Sequence, residues 1–173
     1  MHKVYRDFWP GAADFLPSLR EQVEAYGSHI FNPDRLRHQT ALKPNSDFYR
    51  AFDKALTDRG FVRGRTITDA FVLQSYEGCR RQQFHTDYDA DLLAAQGSRK
   101  KPQGCLLALE KDTTLEVKEG PGAHTVRLGP GDLLVFDGDC VHAGSAYDRP
   151  NTRVHCYLDV ATHAREPNKT WFA

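Results

Sequence analysis

Two periodicities divide the chain. In its first third, Phe15, Leu16, Leu19, Val23 and Tyr26 recur at the spacing of one helix face, and Gly27 stands where such a helix would stop. Phe48, Phe52, Ala55 and Leu56 repeat the pattern over 48–58, with Asn45 or Ser46 placed to cap its start and Gly60 its end. Asn32-Pro33-Asp34 between them reads as a turn. From about Ile67 the period shortens to two. Strands are predicted near 68–76, 82–87, 104–109, 114–118, 124–128, 132–136, 140–143 and 152–160, punctuated by Gly120-Pro121-Gly122 and Gly129-Pro130-Gly131. Helices followed by short strands predict a mainly β fold, a sandwich or barrel with supporting helices. The division expected is one domain over 1–173: helices in 1–65, a β core in 66–160 and a tail in 161–173.

Residues 88–103 form the longest irregular stretch of the β half, with a helical turn or two expected in 89–95. A loop of that length beside candidate chemistry predicts a lid, whose Arg99, Lys100 and Lys101 would favour negatively charged substrates. Arg80-Arg81 would flank the same mouth, although short charge runs are more often solvated loops. Trp9, Trp171 and Phe172 read as packing anchors.

Composition narrows the function classes. A chain of 173 residues can bury a real core. Lys plus Arg and Asp plus Glu both number 23, and a formal charge of zero disfavours affinity built on neutralised phosphates. No apolar run has signal-peptide or membrane-span length. Cys79, Cys105, Cys140 and Cys156 form no Cys-x-x-Cys pair, and reduced thiols in a cytoplasmic, monomeric protein are expected.

The chemistry concentrates in a few residues. His85 and Asp87 lie two apart on a predicted strand and so share a face. Alone, His-x-Asp fits a surface hydrogen-bonded pair as readily as a metal. His142 follows Asp87 by 55 residues, after an apolar strand that turns at Asp137-Gly138-Asp139. A core histidine satisfied by backbone groups would look the same. Two imidazoles and a carboxylate can together occupy one face of an octahedral metal and leave positions open. Arg153 follows His142 by 11 residues and shares a strand face with His155 and Tyr157, while Val154, Cys156 and Leu158 share the other. An inward arginine needs an anion, from a structural carboxylate or from a ligand.

These segments resemble the iron(II)- and 2-oxoglutarate-dependent oxygenases, nearest to the prolyl-hydroxylase-like and phytanoyl-hydroxylase-like branches. The resemblance lies in 73–78 (Leu-Gln-Ser-Tyr-Glu-Gly), 84–88 (Phe-His-Thr-Asp-Tyr), 131–136 (Gly-Asp-Leu-Leu-Val-Phe) and His142-Ala143-Gly144, and covers about 65–160. It implies a double-stranded β-helix, the jelly-roll or cupin-like barrel. It also implies Fe(II), 2-oxoglutarate and dioxygen, with ascorbate as an optional reductant. His85, Asp87 and His142 would be the metal ligands, Arg153 the anchor of the distal 2-oxoglutarate carboxylate, and Tyr76 part of the co-substrate pocket. An arginine where collagen-type prolyl hydroxylases place lysine argues against a collagen-like assignment. The expected reaction is hydroxylation of a C–H bond of a protein residue, prolyl-type, or of a small molecule. A nucleic-acid dealkylase or hydroxylase of the same superfamily is an alternative, although no basic, aromatic-rich recognition segment stands out. A non-enzymatic cupin-type barrel is another, and such a barrel has no need of Arg153.

Overall fold

Helix formation in the N-terminal half starts from local chemistry. In this computed structural model, which describes residues 1–30, 35–97, 100–163, 165 and 169–173, the Ser46 hydroxyl accepts from the Tyr49 amide at 3.2 Å and caps a helix over Asp47–Asp58. Its apolar stripe buries Phe48, Phe52 and Leu56. An earlier helix runs over Leu16–Tyr26 and stops at Gly27, burying Leu19 and Val23. The turn expected at Asn32-Pro33-Asp34 lies outside the described residues.

In chain order the elements are β1 (His2–Tyr5), a 3-10 helix (Pro10–Phe15), α1 (Leu16–Tyr26), β2 (Ser28–His29), β3 (Arg37–Ala41), α2 (Asp47–Asp58), β4 (Thr66–Ser75), β5 (His85–Thr86), α3 (Ala90–Gln96), β6 (Gln103–Ala108), β7 (Thr113–Glu119), β8 (Gly122–Leu128), β9 (Leu133–Asp137), β10 (His142–Gly144), β11 (Asn151–Asp159) and β12 (Trp171–Phe172). The alternating stretches correspond to β4 through β11. The expected 82–87 strand is shorter, only His85–Thr86. The remaining strands, β1, β2, β3 and β12, carry no clear alternation of their own.

All pairings are antiparallel, in two sheets ordered β1-β9-β6-β11-β4-β3-β2 and β12-β5-β10-β7-β8. The sheets share no strand, so the jelly roll is an open pair of sheets and not a closed barrel.

Three layers result, because the larger sheet is apolar on both faces. Cys105, Leu107, Leu133, Val135, Val154, Cys156 and Leu158 point to the helical layer, where they meet Leu19, Val23, Phe48, Phe52 and Leu56. Their strand neighbours Leu106, Ala108, Leu134 and Phe136 point the other way and pack with Leu115, Val117, Val126 and Leu128 of β7 and β8. Double-sided burial explains the unbroken apolar run Leu133-Leu134-Val135-Phe136. Trp9 packs against Phe15, Phe48 and Phe52, an anchor as its sequence context suggests. The four cysteines are free and buried. Among the described residues no helix is long and apolar enough to cross a membrane.

Candidate metal centre and its cavity

Pairing of β5 with β10 sets His85 and His142 opposite each other as Cα partners. Their rings stand 4.6 Å apart between centroids. Each ring is oriented by a carbonyl two residues back. His85 Nδ1–H donates to the Gln83 carbonyl at 2.8 Å, and His142 Nδ1–H to the Cys140 carbonyl at 2.9 Å. That tautomer leaves both Nε2 lone pairs available, the arrangement metal-bound histidines adopt. Asp87 lies just past β5 and is fully buried, its Oδ2 3.7 Å from His142 Nε2. Oδ2 accepts no hydrogen bond from any described residue. One ligand atom from each of His85, Asp87 and His142 fits within a 4.8 Å span.

A buried carboxylate surrounded by three imidazoles is an electrostatic sink. Burial alone would raise the Asp87 pKa, but His142, His155, His85 and Arg165 outweigh it and hold the carboxyl below its ordinary value. Burial, with His142 adding to it, lowers the His85 pKa. His155 shares the strand face of Arg153, where it could be a packed histidine or a co-substrate contact. In the structure its Nε2 points at Asp87 Oδ2 from 3.6 Å and finds no hydrogen-bond partner among the described residues. Burial pushes His155 down to about 4. Phe136 backs the group, lying 4.7 Å from the His142 ring and stacked on His155 at 6.0 Å. Gly104 makes room for that ring, since a Cβ there would come within 2.5 Å of Phe136.

Arg153 lies on the same face of β11 as His155, about 7 Å along the strand. It is buried, its Nη1 donating to Ser75 Oγ at 3.0 Å, and its guanidinium sits 5.1 Å from the Tyr147 ring. No carboxylate of a described residue pairs with it. Sequence reasoning misses two neighbours of this arginine. Arg37, only 1% exposed, donates to the same Ser75 hydroxyl at 2.9 Å and to the carbonyls of Arg80, Gly144 and Ser145. Tyr147 lies beneath both guanidiniums, 5.9 Å from that of Arg37. Arg37 opens a polar strand, Arg-His-Gln-Thr-Ala, with no apolar alternation to flag it.

Tyr76 is not brought to this group. It lies just past the end of β4, two residues beyond Gln74, which meets Thr152, itself met by Arg20 of α1. There its ring packs edge-on against His38, the cross-strand partner of Gln74. Ser75, one residue earlier, is the residue that meets Arg153.

The expected lid is also displaced. A cavity of about 600 Å³ opens above His85, walled by His29, Gln39, Phe71, Arg81, Tyr157 and Phe172 among others. None of the described residues of 88–103 lines it. Tyr88 turns inward and donates to Asp159 at 2.5 Å, Asp89 caps α3, and Lys101 pairs with Asp139 at 2.5 Å. Lys100 donates to the Arg63 carbonyl. Ser98 and Arg99 lie outside the described residues. The wall comes instead from β12, which pairs with β5 so that Phe172 sits opposite His85. Arg81 does reach the mouth, as its position near the ligand strand suggests.

Two open antiparallel sheets with helices on one outer face make up a jelly-roll fold, the fold also of solved iron- and 2-oxoglutarate-dependent oxygenases. No family model and no curated protein matches the sequence. The likeness is structural. A prolyl-4-hydroxylase from Pseudomonas putida superposes with a TM-score of 0.68 over 92% of each chain at 13% identity. HygX from Streptomyces hygroscopicus, solved with nickel and 2-oxoglutarate bound, gives 0.71 over 95% of this chain and 84% of its own at 13% identity. A prolyl hydroxylase from Trichoplax adhaerens, in complex with a hypoxia inducible factor peptide fragment, gives 0.68 over 91% and 82% at 10% identity.

Proposed function

We propose that this protein is an Fe(II)- and 2-oxoglutarate-dependent dioxygenase that hydroxylates a C–H bond of a protein residue or a small molecule. The observation that carries the reading is Arg153: a buried guanidinium, one strand repeat from His155, which faces Asp87, with no carboxylate of a described residue to neutralise it. Burying an unpaired charge costs several kcal/mol, and a dicarboxylate co-substrate supplies the missing anion. The donor set fits the metal as well. Asp87 Oδ2 is buried without a hydrogen bond from any described residue, and two histidines present unprotonated Nε2 atoms beside it.

His85, Asp87 and His142 hold the iron in this reading. Arg153 receives the distal carboxylate of 2-oxoglutarate, with the Tyr147 ring against the guanidinium face and Ser75 fixing its direction. When bound, iron with 2-oxoglutarate and dioxygen supplies the oxidising power for C–H hydroxylation, 2-oxoglutarate leaving as succinate and carbon dioxide. The protein's part is geometric and dielectric. Carbonyls of Gln83 and Cys140 fix the imidazole planes, Phe136 excludes water from behind them, and the cavity above His85 receives the prime substrate. A volume of about 600 Å³ suits a side chain on a peptide or a drug-sized molecule. The relatives in fold span both: one was solved with a peptide fragment, and HygX also with hygromycin B.

The test is succinate production from 2-oxoglutarate by the iron-loaded protein, across pools of peptides, metabolites and oligonucleotides. Substrate-stimulated succinate that is lost in Asp87→Ala supports the reading. Failure of 2-oxoglutarate to bind the metal-loaded protein would refute it.

A further inference from the structure

The two sheets meet at their edges through a second group of metal-type ligands, far from the first in sequence. β1 is the outermost strand of the seven-stranded sheet and β8 the outermost of the five-stranded one. His2 stands on β1, His124 on β8, and Glu119 at the end of β7. In the β7–β8 hairpin Val117 is the direct partner of His124. Glu119, two residues beyond Val117, therefore shares the face of His124 on the diagonal. β1 brings His2 against that face. Its Nδ1 lies 2.9 Å from Glu119 Oε1, and its ring stands 5.3 Å from that of His124. One ligand atom from each of the three residues fits within a 4.8 Å span.

We propose that His2, Glu119 and His124 form a second site, for a divalent transition metal, that staples the two open sheet edges together. Two imidazoles and one carboxylate are borderline donors. They suit zinc, copper(II) or nickel(II), and suit magnesium and calcium poorly, since those want oxygen ligands. Three protein ligands leave a tetrahedral ion one position for water, and His124 and Glu119 are exposed enough for the ion to enter directly. The ordinary alternative is a surface ion pair of His2 with Glu119, worth at most about 1 kcal/mol. That pair would not require His124, whose ring has no part in it.

Location gives the site its role. β1 has one sheet neighbour, β9, and β8 has one, β7. Strands held on one side only are where a sheet opens first. An ion shared by β1, β7 and β8 binds only while the two edges stay together, so it stabilises the closed arrangement by mass action. The site would thus respond to the metal supply independently of the iron centre, through the mobility of an edge and not through the chemistry.

Titration of the metal-stripped full chain with zinc tests this. Two zinc ions per chain are expected in the parent, and one in His124→Ala and in Glu119→Gln, with binding at the lost site weakened at least about tenfold, the scale on which even outer partners of metal ligands act. His142→Ala should keep the edge site and lose the central one, which separates failure of this proposal from failure of the oxygenase reading. Hydrogen exchange gives a second readout. Zinc should slow exchange of the β1 amides in the parent and in His142→Ala, and leave it unchanged in His124→Ala. Equal zinc stoichiometry and equal β1 protection with and without His124 and Glu119 would overturn the proposal.

Discussion

Arg37 and Arg153 donate to the same hydroxyl, that of Ser75, at 2.9 and 3.0 Å. They come from β3 and β11, on opposite sides of β4. Their tasks differ. Arg37 spends its donors on the carbonyls of Arg80, Gly144 and Ser145. It thereby ties the larger sheet to the end of β10, which carries His142. Among the described residues Arg153 donates only to Ser75 and Asn151, through Nη1.

Arg153→Leu should weaken 2-oxoglutarate binding by about 2 to 5 kcal/mol while leaving metal affinity near that of the parent. Calorimetric titration of the metal-loaded protein checks it. Arg37→Met should act on stability, because the buried Ser145 carbonyl loses its donor and the ties to Gly144 and Arg80 go with it, at about 1–3 kcal/mol for a buried group left unsatisfied. A chemical denaturation series compares the two variants.

His142→Ala should abolish binding at the buried centre and all turnover, with the helical layer intact by circular dichroism. The substitution removes one of the three candidate ligands and leaves the helix-facing core alone, since His142 is not among its residues.

Acid should destabilise the metal-free protein in a defined window. The folded state binds a proton at His155 only near 4, whereas the unfolded chain does so at 6.5. Between those values the unfolded state holds more protons, so stability falls as pH drops, by about 3 kcal/mol from this group once the window is crossed. His85, also lowered, acts in the same direction. Asp87, held below its ordinary value, adds to the loss at more acidic pH, as its carboxylate finally protonates. Urea denaturation as a function of pH should therefore slope upward from acid to neutral, and His155→Gln should flatten it.

Gly104→Ala should damage the candidate metal centre from the neighbouring strand. A Cβ at 104 would press on Phe136, whose ring touches both His142 and His155. Overpacking of this kind costs about 1–3 kcal/mol. Nickel titration should register a loss of affinity beyond what the stability change alone predicts, because the backing of two imidazoles shifts.

Much of this was legible in the chain because the signals are local. The parity of Arg153-Val154-His155-Cys156-Tyr157-Leu158 assigns each side chain to a layer, and the structure keeps that assignment. Ser46 and Gly27 mark helix ends through their own chemistry. Long-range pairings left no such trace. β3 is polar and owes its burial to Arg37 meeting carbonyls more than 40 residues away. β12 is two residues long, and its pairing with β5 turns Phe172 from an expected anchor into a wall of the cavity. The 88–103 stretch follows Asp87 directly, yet Tyr88 and Lys101 fasten it away from the mouth. Proximity in sequence is a poor guide once a single inward tyrosine redirects the chain.

The two-faced β11 also bears on how such a protein changes over generations. Odd positions from 153 to 157 touch the cavity side, while 154, 156 and 158 touch only the helix-facing core. Selection on substrate and selection on folding therefore draw on separate sets of codons within one strand. A mutational scan scored once for abundance and once for turnover should split these positions by parity. New specificities can then be explored on one face without loosening the other, whereas a one-residue insertion would exchange the two sets and forfeit both properties together.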